Sequence, residues 1–327
     1  MDTIFICNDP RNVKRVYGRG RRERIEAICA LHPEIVSGET FDEIDLSDVR
    51  WVFSTWGMPE LSVEQIARMP KLEALFYAAG SVKFFAPPFL ERDVRIFGAW
   101  GANAVAVADF TLGQILLATK GYFRNQRDFV DRASYAKPQL GIGNFEETVA
   151  LIGAGMVGRM VIDRLRPFDL DVQVADPYLS DEDAQLFAVE RVSLEDGFRR
   201  ALVVSNHAPN LPATMGMIQR SHFESMREHA VFINTGRGAT VDEEAMIAVL
   251  RERPDLTALL DVMDPEPPID GSPFYELPNA HLTNHIAGAL GNEVVRMADY
   301  MVEEFTALRE GRPLRYEITS EMLETLA

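Results

Sequence analysis

An apolar run of strand length, Thr148-Val149-Ala150-Leu151-Ile152, leads directly into Gly153-Ala154-Gly155-Met156-Val157-Gly158, and Arg159-Met160-Val161-Ile162 then opens a helical pattern. This order forces a buried strand to turn tightly into a helix. Gly153 permits the turn, Gly155 removes the Cβ that would stand between the backbone and a pyrophosphate, and Gly158 lets helix pack on strand. The helix start offers unpaired N–H groups and the positive end of its dipole to phosphate. A second strand over 171–176 ends in the acid Asp176, about 20 residues past the glycines, where a carboxylate accepts hydrogen bonds from an adenosine ribose. The stretch therefore predicts a bound dinucleotide. Asp176 would repel a 2′-phosphate and Pro177-Tyr178 bring no cation to receive one, so NAD is expected over NADP.

A chain of 327 residues exceeds one compact core and implies two domains. Hydrophobic and charged fractions of 47% and 25% are those of a soluble globular protein. The net charge of −17 repels phosphate backbones and anionic lipid, which argues against nucleic-acid and membrane-surface roles. Residues 11–24 are the exception, with Arg11, Lys14, Arg15, Arg19, Arg21, Arg22 and Arg24. They form either a solvated loop and helix start, the favoured reading, or an anion site. Cys7 and Cys29 read as reduced core residues and fit the cytoplasm, and strand signals from Ile4 onward leave no room for a signal peptide. The apolar segment 102–119, broken by Asp109, reads as a buried helix rather than a membrane span. It is apolar around more of its circumference than one core face needs, which predicts a homodimer. No metal site is expected.

Strand signals at 3–7, 51–55, 74–77 and 94–97 alternate with helix signals at 22–31, 63–69 and 84–90, the pattern of a parallel sheet. Trp56-Gly57-Met58 and Ala78-Ala79-Gly80-Ser81-Val82 each follow a strand, where open sheets bind ligands. A long helix over 104–120 and an irregular stretch over 121–145 come next. Further strands are expected at 200–205, 230–233 and 256–261, with a helix at 242–251. A helix over 294–308 stops at Gly311 and Pro313, and 314–318 adds an extended segment to the first domain. The fold class is α/β: two Rossmann-like or flavodoxin-like parallel-sheet domains with a cleft between them. Residues 1–102 plus 292–327 form a discontinuous substrate domain, and 103–291 the NAD-binding domain.

Three late strand-like runs end in polar loops: Asn234-Thr235-Gly236-Arg237-Gly238, Met263-Asp264-Pro265-Glu266-Pro267 and Asn284-His285-Ile286-Ala287-Gly288. In parallel strands all of them empty onto the edge where a nicotinamide lies. The residue types suit reduction of a 2-keto acid. Arginine clamps a carboxylate with two parallel hydrogen bonds and polarises the carbonyl. Histidine moves the proton that accompanies hydride transfer, and a carboxylate orients the imidazole and stabilises its charged form. Asp264 rivals Glu266 for that last role. Each residue also has a plainer reading: loop carbonyls for Arg237, a helix cap for His285, solvent for Glu266.

Together these residues resemble the D-isomer-specific 2-hydroxyacid dehydrogenases, which include phosphoglycerate dehydrogenases and glyoxylate/hydroxypyruvate reductases, over nearly the whole chain. The carriers are the glycine turn, Ser205-Asn206-His207-Ala208-Pro209, Asn234-Thr235-Gly236-Arg237-Gly238, Leu260-Asp261-Val262 with Glu266-Pro267, and His285-Ile286-Ala287-Gly288. The resemblance implies a catalytic set of Arg237, Glu266 and His285, pyrophosphate contacts from the Met156 and Val157 amides, and Asp176 on the ribose. It also implies a cofactor lining that includes His207, Ala208, Pro209, Thr235, Gly236, Asp261 and Gly288, with Asp261 on the nicotinamide carboxamide. Gly80, Ser81 and Val82 match the family's substrate-carboxylate loop, and Gly57 joins them as a substrate-side candidate. Two departures stand out: Ser81-Val82-Lys83-Phe84-Phe85 replaces the usual second glycine and aspartate, and Asn284 replaces the proline common before the histidine.

The expected function is an NAD-dependent oxidoreductase that interconverts a small 2-keto acid, of hydroxypyruvate, glyoxylate or phosphoglycerate type, and its D-2-hydroxy acid, with His285 as acid–base. The alternative is a non-catalytic NAD-binding redox sensor or assembly module, which needs only the glycine turn. Formate oxidation needs no imidazole–carboxylate pair and fits Glu266 less well.

Overall fold

The computed structural model describes residues 1–136 and 141–325. In chain order the strands are β1 Thr3–Ile6, β2 Leu31–Val36, β3 Trp51–Ser54, β4 Ala74–Tyr77, β5 Arg95–Gly98, β6 Phe145–Ile152, β7 Asp169–Ala175, β8 Glu190–Arg191, β9 Val203–Asn206, β10 Val231–Asn234, β11 Thr257–Leu260, β12 Ala280–Leu282 and β13 Glu317–Ile318. They form two sheets, one in each of two units: Met1–Asn103 with Ala289–Ala327, and Ala104–Gly288.

The first sheet runs β13-β5-β4-β3-β1-β2, parallel throughout except that β13 lies antiparallel to β5. Setting β13 aside, this is the 2-1-3-4-5 order of flavodoxin-like sheets. Strand residues alternate between two covered faces: Ile4 and Ile6 pack with Val52 and Leu75, while Phe5 packs with Phe53, Phe76 and Phe97. On the second face Phe53–Phe76 and Phe76–Phe97 stack at centroid distances of 5.0 Å, and Phe305 of the helix Val294–Glu310 meets Phe53 edge-on at 5.2 Å. That helix buries Val294, Met297, Ala298, Met301 and Phe305 here. Each of the Val, Met and Phe side chains contributes roughly 1.5–3 kcal/mol of burial energy, enough to hold the end of the chain on the first sheet. Just before it, the Ala289 N–H donates to Asn103 Oδ1 at 2.8 Å.

The helix expected over 22–31 is shorter than its pattern suggested. The basic stretch folds as two helices, Pro10–Val16 and Arg21–Glu26, and residues from Leu31 onward form the edge strand β2. Asp9 caps the first helix with Pro10 at its first position, and Gly20 at φ +85 starts the second. Pro33 is tolerated because β2 is an edge. Arg21 and Arg24 share Asp299 at 2.7 and 2.8 Å, Arg11 pairs with Asp9 at 2.8 Å, and Arg22 with Glu26 at 2.9 Å. These pairs leave Arg11, Arg21, Arg22 and Arg24 partnered, which favours the solvated reading of the stretch.

The second sheet runs β12-β11-β10-β9-β6-β7-β8, parallel throughout, with its topological switch between β6 and β9. The helix Trp100–Thr119 contributes its first residues to the first unit and the remainder to the second. By length and composition it could cross a membrane, with a mean hydropathy of 1.3, yet half of it is buried. Its Ala108, Ile115 and Ala118 pack against Val149, Leu151, Ile233 and Leu259 of the sheet, as a core helix does. The stretch 121–145 is less irregular than expected: Gly121 at φ +66 starts the helix Tyr122–Asp128, a 3-10 turn covers Arg132–Ala136, and β6 already begins at Phe145. Two helical turns are too short to show a period. Residues 137–140 of that stretch lie outside the described residues. The strand expected from 200 starts at Val203, because the helix Leu194–Arg200, capped by Ser193, occupies the preceding turns.

Candidate active site

In the second unit the turn after β6 behaves as the glycine spacing demands. Gly153 has φ +92, and a Cβ on Gly158 would fall 2.1 Å from the Gly153 carbonyl oxygen. A Cβ on Gly155, by contrast, would meet nothing within 4 Å. No side chain caps the helix Met156–Leu165 that follows, so its first amides face the open space above Gly155. Asp176, just past β7, fastens this turn: its carboxylate accepts from the Ala154 N–H at 2.6 Å and the Tyr178 N–H at 2.7 Å. An open cradle, a free helix start and an acid one strand over fit a dinucleotide.

Strands β9 and β10 both end in asparagine, and the two side chains shape the next loops. Asn206 Nδ2 donates to Asn234 Oδ1 at 3.0 Å and to Thr240 Oγ1 at 2.8 Å. Asn206 Oδ1 accepts from the Ala208 N–H, and Asn234 Oδ1 from the Gly236 N–H, each at 3.1 Å. The Arg237 carbonyl receives Thr240 Oγ1 at 2.8 Å and Asn234 Nδ2 at 3.3 Å. His207 sits in a chain of hydroxyls: Nε2 lies 3.0 Å from Ser205 Oγ, Nδ1 lies 3.3 Å from Thr235 Oγ1, and that hydroxyl lies 3.2 Å from Thr111 Oγ1. Burial pushes the His207 imidazole down to about 4, so it is neutral at working pH. Pro209 continues this loop. Sequence reasoning quoted Asn206 and Asn234 only within the family motifs, without a role, and missed Thr240, although an asparagine closing each of two apolar strands was there to be seen.

The last two loops bring an acid and a base together. Glu266 Oε1 lies 2.7 Å from His285 Nδ1, with both side chains partly open to solvent. Glu266, not Asp264, reaches the imidazole. Asp261 is buried, and its carboxylate accepts from Thr283 Oγ1 at 2.6 Å and from the Ile286 and Ala287 N–H groups at 2.8 Å. It thus grips both sides of His285 and shapes the segment that Gly288 closes. Arg237, on the neighbouring loop, donates from Nη1 to the Gly236 carbonyl at 2.7 Å. Burial lowers its pKa, and the negative charge of Glu266 opposes that shift. A Cβ on Gly238 would fall 2.1 Å from the Met263 carbonyl carbon, so the Arg237 and Glu266 loops meet backbone to backbone. Glu243, which the sequence did not single out, accepts from the Asp264 N–H at 2.9 Å, and burial pushes its carboxyl up to about 7. Among the described residues no group of three or more His, Cys, Asp or Glu could hold a metal ion.

In the first unit the two expected loops follow β3 and β4. Gly57 has φ +93 and a Cβ there would lie 3.2 Å from Cys7 Sγ, while the Trp56 carbonyl accepts from Asn12 Nδ2 at 2.9 Å. A Cβ on Gly80 would meet nothing within 4 Å, Ser81 is exposed, and Val82 turns its side chain into the core. The amides of Gly80, Ser81 and Val82 have no acceptor among the described residues, an arrangement suited to an anion.

Comparison with known proteins adds a lineage to this geometry. Residues 112–287 match the family model described as the NAD binding domain of D-isomer specific 2-hydroxyacid dehydrogenases. The chain is 26% identical over 234 residues to a D-3-phosphoglycerate dehydrogenase of Archaeoglobus fulgidus, covering 72% of this chain and 44% of that protein. It is 30% identical over 227 residues to an (S)-sulfolactate dehydrogenase of Chromohalobacter salexigens, covering 69% of this chain and 74% of that one. The first of these relatives is thus more than twice as long as the segment it shares. Among solved structures, the apo D-mandelate dehydrogenase of Rhodotorula graminis shares the fold with a TM-score of 0.80 at 19% identity, over 98% of both chains.

Proposed function

The chain belongs to the D-isomer specific 2-hydroxyacid dehydrogenase family and carries its NAD-binding domain, and from that premise we propose that it interconverts a small 2-keto acid and its D-2-hydroxy acid. The observation that carries this reading is the 2.7 Å contact between Glu266 Oε1 and His285 Nδ1, which leaves Nε2 to hold a proton for the substrate oxygen. The bound nicotinamide supplies or accepts the hydride. The chain's own residues do the remainder. The Met156 and Val157 amides, with Gly155 clear of side-chain atoms, receive the pyrophosphate, and Asp176 takes the ribose and disfavours a 2′-phosphate. Arg237 binds the substrate carboxylate and polarises its carbonyl, and the free amides of Gly80, Ser81 and Val82 offer a second anion cradle. Glu266 stabilises the charged imidazole of His285. The hydroxy acid itself is of the size class after which the phosphoglycerate and sulfolactate relatives are named.

A homodimer belongs to the same reading. Leu117, Tyr122, Phe129, Val130 and Tyr135 are large apolar side chains left exposed within one stretch, with Val130 at 77% and Tyr135 at 83%. Such a run supports a surface covered by a second copy. Both cysteines are unpaired, which supports a reducing, cytoplasmic setting.

The test is NADH oxidation with glyoxylate, hydroxypyruvate and phosphohydroxypyruvate, run beside NADPH at equal concentration. Turnover with at least one acid, and a preference for NADH, is expected. A protein that binds NADH yet turns over none of them would be a non-catalytic binding module, and equal use of NADPH would overturn the role given to Asp176.

A further inference from the structure

At the other end of the second sheet, Leu202, Val231 and Thr257 precede or open β9, β10 and β11 and line a cavity of about 260 Å³. The strands are parallel, so this edge faces away from the loops of Arg237, Glu266 and His285, about 13 Å of strand distant. Phe123 adds an apolar wall, and Arg124, Glu228 and His229 are the polar lining.

Arg124 is the anomaly. Its side chain is only 9% exposed, yet Nε and Nη1 have no hydrogen-bond partner among the described residues, and neither does His229 Nδ1. The carboxylates whose charge reaches Arg124 are committed elsewhere: Asp255 to Arg253 at 2.7 Å, Asp128 to Arg127 at 3.0 Å, and Glu228 beside His229 Nε2 at 3.3 Å. Burial and the nearby Arg127 both push the guanidinium pKa down. A buried cation with unused donors is costly unless an anion completes it.

The geometry points to a binding site for a small monocarboxylate in this cavity, its oxygens on the Arg124 guanidinium and its body against Phe123 and Val231. Arginine matches a carboxylate with two parallel donors. The apolar walls favour a carbon skeleton over a bare inorganic ion. Glu228, 78% exposed at the rim, repels a second negative charge, so phosphate is disfavoured. This site is independent of the dehydrogenase chemistry, because none of its residues belongs to the glycine turn or to the Arg237, Glu266 and His285 set, although Phe123 and Arg124 lie within the stretch proposed to meet a second copy.

Calorimetric titration of the full chain with benzoate, its neutral isostere benzamide and inorganic phosphate tests the site, in wild type, Arg124→Gln, Arg124→Lys and Arg237→Gln. Benzoate should bind wild type and Arg237→Gln alike, at least tenfold weaker in Arg124→Gln, and with intermediate affinity in Arg124→Lys, which keeps the charge but not the fork. Benzamide and phosphate should each bind wild type at least tenfold more weakly than benzoate. Without ligand, Arg124→Gln should melt no lower than wild type, since it removes an unpaired buried charge. Equal benzoate affinity in wild type and Arg124→Gln would overturn the proposal. So would a wild type that binds no benzoate together with an Arg124→Gln protein that sediments lighter than wild type, because the carboxylate on Arg124 would then come from a second copy of the chain.

Discussion

His285 holds a backbone φ of +58, a left-handed conformation that histidine visits more readily than most side chains but still at a cost. Asp261 holds it there through its three hydrogen bonds to Thr283, Ile286 and Ala287. Replacing His285 with Ala should cost roughly 10²–10⁴-fold in turnover, the worth of a positioned acid–base group. His207 cannot stand in for it, because its imidazole stays neutral down to about 4. Residual turnover in His285→Ala that vanishes on adding His207→Phe would refute that assignment. Glu243 carries a second prediction. Its carboxyl titrates near 7 in the folded chain against 4.5 in an open one. Between those values the folded state holds the extra proton, so stability falls as pH rises through that window and the loss is complete above 7. Glu243→Gln should match wild type near pH 4.5. At pH 8 it should exceed it by on the order of 1 kcal/mol, after discounting for solvent screening of a half-buried group. Melting curves across that range check it, and a difference that does not vary with pH would contradict it.

At the scale of elements, the two glycines of the β6 turn should fail in different ways. Gly158→Ala puts a methyl 2.1 Å from a backbone oxygen, so helix and strand must part and the melting temperature should fall sharply. Gly155→Ala meets nothing within 4 Å, so stability should hold while NAD affinity drops by tenfold or more. Melting curves with and without NAD separate the two, and a Gly155→Ala protein that keeps full affinity would dissociate the cradle from the cofactor. The strongest elements were legible because buried parallel strands read as unbroken apolar runs; the run before Gly153 needed no tertiary context. The helices Asp181–Phe187 and Leu194–Arg200 went unread, although their caps marked them. Ser180 and Ser193 each accept from the amide three residues on, and Ser-x-x-Asp marks both helix starts in the sequence. The edge strand β2 was hidden, since one solvated side and a proline leave little alternation to read. At the site, residue types pointed to Glu266 and His285. The grip of Asp261, the contact of Glu243 and the pairing of the two visible asparagines could not be read, because they join residues that only the sheet brings together.

For the whole molecule, the exposed apolar stretch that includes Val130 and Tyr135 predicts a particle of twice the 36.7 kDa chain mass in sedimentation at micromolar concentration. Val130→Glu, which places a charge on that surface without touching a buried core, should shift the mass toward the single chain. A wild-type protein that sediments as a single chain at that concentration would remove the argument.

The hydrogen bond between Asn103 and Ala289 bears on how such a chain is assembled genetically. Residues 103 and 289 are the points at which the first unit is left and re-entered, and the bond ties the Ala289 N–H to the Asn103 side chain at 2.8 Å. A gene in which codon 103 runs directly into codon 289 would therefore join two residues already in hydrogen-bond contact. The intervening segment is, in effect, a cassette read into a single doorway of its host. Recombination at that doorway could exchange one cofactor module for another and leave the host's own pairing of β13 with β5 undisturbed.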